Sequence, residues 1–113
     1  MYTEKDLRQF LSSFNEDMQT KFIETFIDSF NKQMKSCKKA QDQYDSQLLK
    51  TSIHDIKSLA YTIGAQELGD LAKRIDENLS YNHHTEAFRD LPKIFPMSQN
   101  VLKILEKQLS LVC

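Results

Sequence analysis

Between residues 18 and 34 the apolar positions fall every fourth residue: Met18, Phe22, Phe26, Phe30 and Met34, with Ile23 and Ile27 beside them. A stripe at that spacing is one face of a long amphipathic helix, predicted here at roughly 22–25 residues. Asn15, followed by Glu16 and Asp17, supplies its N-cap and acidic first turn. Upstream, Thr3-x-x-Asp6 resembles a capping box and opens a short helix through Leu7, Phe10 and Leu11. The polar run QDQYDS (41–46) reads as the next break, with Asp45 or Ser46 capping a third helix. That helix carries Leu48, Leu49, Ile53, Ile56, Leu59, Ala60 and Ile63, and Gly64 sits where a helix end favours φ > 0. A fourth runs from Gln66 to Leu79 on Leu68, Leu71, Ala72, Ile75 and Leu79. SYNHHT (80–85) reads as a loop. Pro92 and Pro96 interrupt the chain, and Ser98 is placed to cap a last helix carrying Val101, Leu102, Leu105 and Leu109.

Short connections favour antiparallel neighbours. The expected fold is therefore all-α: an antiparallel up-and-down four-helix bundle with an additional short N-terminal helix, in a single domain over 1–113. The pair about Gly64 should be a tight helical hairpin. Composition agrees, with two Gly, two Pro and no Trp in 113 residues of which 40% are hydrophobic.

Charge removes several classes of function. A net charge of −1 gives no case for nucleic acid or an anionic membrane as partner. Lys32, Lys35, Lys38 and Lys39 are expected at the C-terminal end of the long helix, where cations complement the macrodipole. MYTEKDLRQF lacks the apolar core of a signal peptide, and acids interrupt FIETFIDSF, the most apolar stretch of the long helix. Cys37 and Cys113 make no disulfide framework, and Cys37 falls on an apolar face as a small core residue. These features point to the cytoplasm, and a bundle that buries its own stripes points to a monomer. Whether the chain stands alone or belongs to a larger sensor is open at this point.

The wet side of the third helix holds the candidate chemistry. With His54 at zero on a wheel of about 100° per residue, Lys57 lies near −60°, Ser58 near +40° and Tyr61 near −20°. Ile56, Ala60 and Ile63 fall around 180–240° on the same wheel, so the histidine is directed away from the core. An isolated imidazole titrates at about pH 6.5, leaving much of it neutral and nucleophilic in a cytoplasm. A neighbouring lysine offers charge to any anion the ring acquires. The pair suits a group that receives a phosphoryl, although geometry alone favours an ordinary exposed histidine.

His54-x-x-Lys57-Ser58-x-Ala60-x-x-Ile63-Gly64-Ala65-x-x-Leu68-x-x-Leu71-Ala72 resembles the core motif of histidine-containing phosphotransfer (HPt) domains, whose pattern is H-x-x-K-G-x-A followed by G-A and a leucine-spaced helix. The resemblance is close over about 20 residues. Ser58 stands where the family usually has glycine, and Leu59 where a small residue is common. The resemblance implies that His54 is the phosphoacceptor through its outer ring nitrogen and that Lys57 stabilises the phosphoryl group. It further implies that Ser58 and Tyr61 line the site and that Gly64 is structural. It implies a helical bundle that exchanges phosphoryl groups with an aspartate of a response-regulator receiver domain, with a receiver or a hybrid sensor histidine kinase as partner. No cofactor is expected on this chain; Mg²⁺ belongs to the receiver. The chain has no glycine-rich phosphate loop, so it is not a complete kinase.

The competing reading is a helical interaction module that binds a receiver or another signalling protein without phosphotransfer, which Leu59 mildly favours. No metal site is expected: His83 and His84 are adjacent, point in different directions and lack a third ligand at suitable spacing.

Overall fold

Three of the helix starts follow from short side chains that meet free backbone amides. In the computed structural model, which describes residues 1–112, α1 (Glu4–Leu11) opens with the expected capping box: Thr3 accepts from the Asp6 amide and Asp6 accepts from the Thr3 amide. Asn15 accepts from the Met18 amide at 2.9 Å to start α2 (Glu16–Gln43), and Asp45 accepts from the Leu48 amide at 3.0 Å to start α3 (Ser46–Thr62). Cys113, one of the two cysteines weighed for a disulfide, lies outside the described residues. Cys37 is free and buried.

Three helix ends share one device. Gly64 (φ 81°), Tyr44 (φ 51°) and Asn82 (φ 60°) all adopt the left-handed region. In each case the next residue's amide reaches back five positions: Ala65 to the Ala60 carbonyl at 2.8 Å, Asp45 to Ala40 at 2.9 Å, His83 to Asn78 at 2.7 Å. Glycine takes that conformation freely. Tyr44 does not, and its ring stacks on Phe88 with centroids 4.1 Å apart.

The remaining elements are α4 (Gln66–Ser80), α5 (His84–Asp90), a 3-10 turn (Leu91–Lys93) and α6 (Ile94–Val112). Helix α2 packs on α3, α3 on α4, α4 on both α5 and α6, and α6 back on α2, which closes a helical bundle. α3 and α4 run antiparallel about Gly64, because Tyr61 meets Asp70 while Lys50 and Lys57 both meet Asp76. At 28 residues α2 is about 42 Å long by the α-helical rise, which matches the 43 Å long dimension of the molecule.

Several expectations need correction. α2 runs to Gln43, because Ala40 is fully buried and Lys38 pairs with Asp42 one turn on. The four lysines therefore lie along its second half and not at its end. Met18 continues the stripe in spacing but is 42% exposed. The last two residues of SYNHHT, His84 and Thr85, open α5, a seven-residue element whose only fully buried side chain is Ala87, too little periodicity to be read from sequence. Pro96 occupies the first turn of α6, which tolerates a missing N–H. Ser98 is thus inside the helix, fully buried with no partner for its hydroxyl, and caps nothing.

The core joins Phe30, Ile23, Leu49, Ile53, Ile56, Ile75, Ile94 and Leu105. Tyr2, which the hydrophobic pattern leaves unassigned, is buried and donates to the free Ile63 carbonyl at 2.9 Å, while Asn100 donates to the Tyr2 carbonyl at 3.3 Å. The N-terminal residues thereby tie the end of α3 to α6. Burial pushes the Tyr2 phenol, with help from nearby Asp6, well above its ordinary value.

Candidate functional site

α3 divides cleanly by face. Ile53, Ile56, Ala60 and, just past the helix, Ile63 are fully buried, whereas the His54 side chain is 60% exposed. The apolar side fixes the rotation of the helix against α2 and α4, and that rotation presents the imidazole to solvent. Ser58 is exposed, and its hydroxyl donates to the His54 carbonyl at 3.2 Å, turned back onto its own helix. Tyr61 is exposed on the same side, two turns further on.

Lys57 does not stand free. Its Nζ donates to Asp76 Oδ2 at 2.9 Å, and its side chain is only 23% exposed. Lys50 Nζ approaches Asp76 Oδ1 at 3.3 Å and donates to Ser80 Oγ at 2.5 Å. The Nδ1 edge of His54 faces the same carboxylate, 3.7 Å from Oδ2. That is too long for a hydrogen bond. The carboxylate nevertheless faces the ring edge that carries Nδ1, and a full charge interaction arises only when the imidazole is protonated. With Nδ1 turned toward α4, Nε2 lies on the opposite edge of the ring.

Asp76 is the member of this cluster that sequence reasoning missed. Burial works to raise its pKa, but the hydrogen bonds and charges of Lys57 and Lys50 outweigh it and hold the carboxyl below the usual value. A signal existed in the hairpin: Asp76 lies about as far beyond Gly64 as His54 and Lys50 lie before it, so an antiparallel pair brings them level. Only the choice of which α4 residue turns inward was out of reach.

Tyr61 is also held from α4. Its hydroxyl donates to Asp70 Oδ1 at 2.6 Å, and Gln66 Nε2 donates to the same oxygen at 3.1 Å. The hydrogen bond to Asp70 is the main reason the phenol is pushed up to about 12. The ring lies over Gly69, where a Cβ would come within 2.6 Å of it. Gly69, Asp70 and Gln66 carried no sequence signal that separates them from any polar helix face.

Gln47, Lys50, Thr51, His54, Asp55 and Asp76 line an open bowl on this face. A smaller apolar pocket of about 140 Å³, between Tyr2, Ala65, Leu68, Pro96, Met97 and Val101, touches none of them. His83 sits in the loop before α5 and His84 in its first turn; among the described residues no group of three or more His, Cys, Asp and Glu side chains is placed to hold a metal. Burial pushes the Cys37 thiol up to about 12, so it is a poor nucleophile. Among the described residues no helix is long and apolar enough to cross a membrane.

The arrangement offers an accessible imidazole, two ammonium groups and one carboxylate between them. The family model described as Hpt domain matches residues 21–110, from the second turn of α2 through most of α6, and leaves α1 outside the matched stretch. No curated protein and no solved structure matches the chain.

Proposed function

The chain belongs to the Hpt domain family, whose members serve histidine phosphotransfer in phosphorelay signalling, and we propose from that membership that His54 is its phosphoacceptor. The observation that carries the reading is the single carboxylate of Asp76, held by Lys57 and facing the Nδ1 edge of an exposed His54. A carboxylate at that edge favours the tautomer with the proton on Nδ1, which leaves a lone pair on Nε2.

The partner is a receiver domain, with a hybrid sensor histidine kinase as a further candidate. The Nε2 lone pair attacks the phosphorus of the receiver's aspartyl phosphate. An N–P bond forms as the O–P bond breaks, and the bonding electrons return to the aspartate as carboxylate. Nδ1 keeps its proton throughout, opposite Asp76, so no base is required. The reverse step restores the aspartyl phosphate. The bundle supplies the nucleophile and the cations, and the receiver supplies its aspartate and the Mg²⁺ that neutralises the moving phosphoryl charge. Lys57 stabilises the phosphoryl group, Ser58 and Tyr61 border the docking face, and Gly64 closes the helix that carries the site. A monomeric single domain over 1–113, acting in the cytoplasm, completes the reading.

The test is transfer from a labelled, phosphorylated receiver to the wild-type protein and to His54→Gln over seconds to minutes. Acid-labile, base-stable label on the wild type alone is the expected result. Binding of the receiver without label on either form would make the protein an interaction module.

A further inference from the structure

Asp76 is gripped by two lysines, and the resemblance to the family accounts for only one of them. Lys50 stands four residues before His54 and Lys57 three after it, so on a helix of about 100° per residue both lie within about 60° of the imidazole, on the same side. The two are held differently. The Lys57 side chain is 23% exposed and packed down on Asp76, whereas Lys50 is 48% exposed and rests on the rim of the bowl. Its contacts are Asp76 Oδ1 at 3.3 Å and Ser80 Oγ at 2.5 Å.

Resting on the reading of His54 as phosphoacceptor, we propose that Lys50 is a second phosphoryl-binding cation, parked on Asp76 and Ser80 in the free protein and shared with the phosphoryl oxygens once His54 carries them. The argument is one of charge. A phosphoryl dianion on the imidazole arrives beside the Asp76 carboxylate, with Asp55 also lining the bowl. Lys57 and a ring that retains its Nδ1 proton offset only part of that negative charge. Lys50 is the remaining ammonium in the bowl, and its flexible stem and three donors let it turn to the phosphoryl while keeping one hydrogen bond to Asp76. A cation already held at this edge needs little reorganisation when the charge appears.

Phosphoramidate tests this without any partner. It donates its phosphoryl group to an accessible imidazole, breaking its own N–P bond, forming one at the ring and releasing ammonia. The rates of phosphohistidine formation and loss would be followed by ³¹P NMR in the wild type, Lys50→Met, Lys50→Arg, Lys73→Met and His54→Gln. Lys50→Met should form phosphohistidine about three- to tenfold more slowly and lose it faster, with a weaker dependence on salt. Lys50→Arg should recover most of both rates, and Lys73→Met, an exposed lysine on α4, should match the wild type. The assignment is overturned if Lys50→Met matches a labelled wild type, or if arginine fails to rescue it. A wild type that takes no phosphate at His54 defeats the phosphoacceptor reading itself, and the inference falls with it.

Discussion

The inner and outer faces of α3 come from the same 17 residues and obey different rules. The inner face is fixed by transfer of apolar area from water: Ile53, Ile56 and Ala60 are buried because their spacing leaves no other rotation. The outer face is organised by residues the helix does not contain. Lys50 and Lys57 converge on Asp76, and Tyr61 converges on Asp70 and Gly69, all three on α4. A helix can thus declare where its site points while the partner that arranges the site remains elsewhere in the chain.

The largest way to break this division is from the inside. Ile56→Ala removes a fully buried side chain and should destabilise the fold by about 2–5 kcal/mol, read as a lowered urea midpoint. If the inner face only orients the helix, the variant should still accept phosphate at His54 under conditions where it remains folded. Loss of transfer in a fully folded Ile56→Ala would show that the two faces are coupled.

Asp76→Asn acts on the outer face alone. It leaves Lys50 and Lys57 without their shared counter-ion and removes the charge opposite Nδ1, so the rate of phosphohistidine formation should change by up to about tenfold while the fold persists. The pH dependence of stability gives a second measure. The folded-state pKa of Asp76 is depressed, so its contribution is complete above the unfolded carboxylate value of about 3.9 and disappears as pH falls through the lower folded value. Urea midpoints taken from pH 6 downward should therefore fall less steeply in Asp76→Asn than in the wild type. Equal slopes would mean that the lysine pairs contribute nothing net.

What could be read from sequence follows the same division. Periodicity placed the apolar faces of α2, α3 and α4, and short polar residues placed the caps at Thr3, Asn15 and Asp45, because both signals lie within a few residues of the structure they create. The helical wheel singled out His54 and Lys57 and the resemblance gave them roles, but neither carried information about Asp76, since the hairpin joins residues about 20 apart. α5 escaped because seven residues with one buried alanine have no period to detect. Ser98 misled because a serine two residues after a proline has the composition of a cap, while the first turn of α6 absorbs Pro96 without ending.

Gly69 gives the smallest effect and the finest distinction. An alanine there gains up to about 1 kcal/mol of helix propensity. Its Cβ, however, would lie 2.6 Å from the Tyr61 ring. That ring is the far end of an exposed, flexible side chain, so it can swing away at little cost and give up its hydrogen bond to Asp70. Stability of Gly69→Ala should therefore stay within about 1 kcal/mol of the wild type, in either direction. The ring should nevertheless move, read as altered chemical shifts of the Tyr61 ring and the Asp70 carboxyl. If it moves and receiver binding weakens while phosphoramidate labelling of His54 is unchanged, Tyr61 serves docking and not chemistry. An unmoved ring would mean that α4 itself gives way, and the outer face would then be as tightly packed as the inner one.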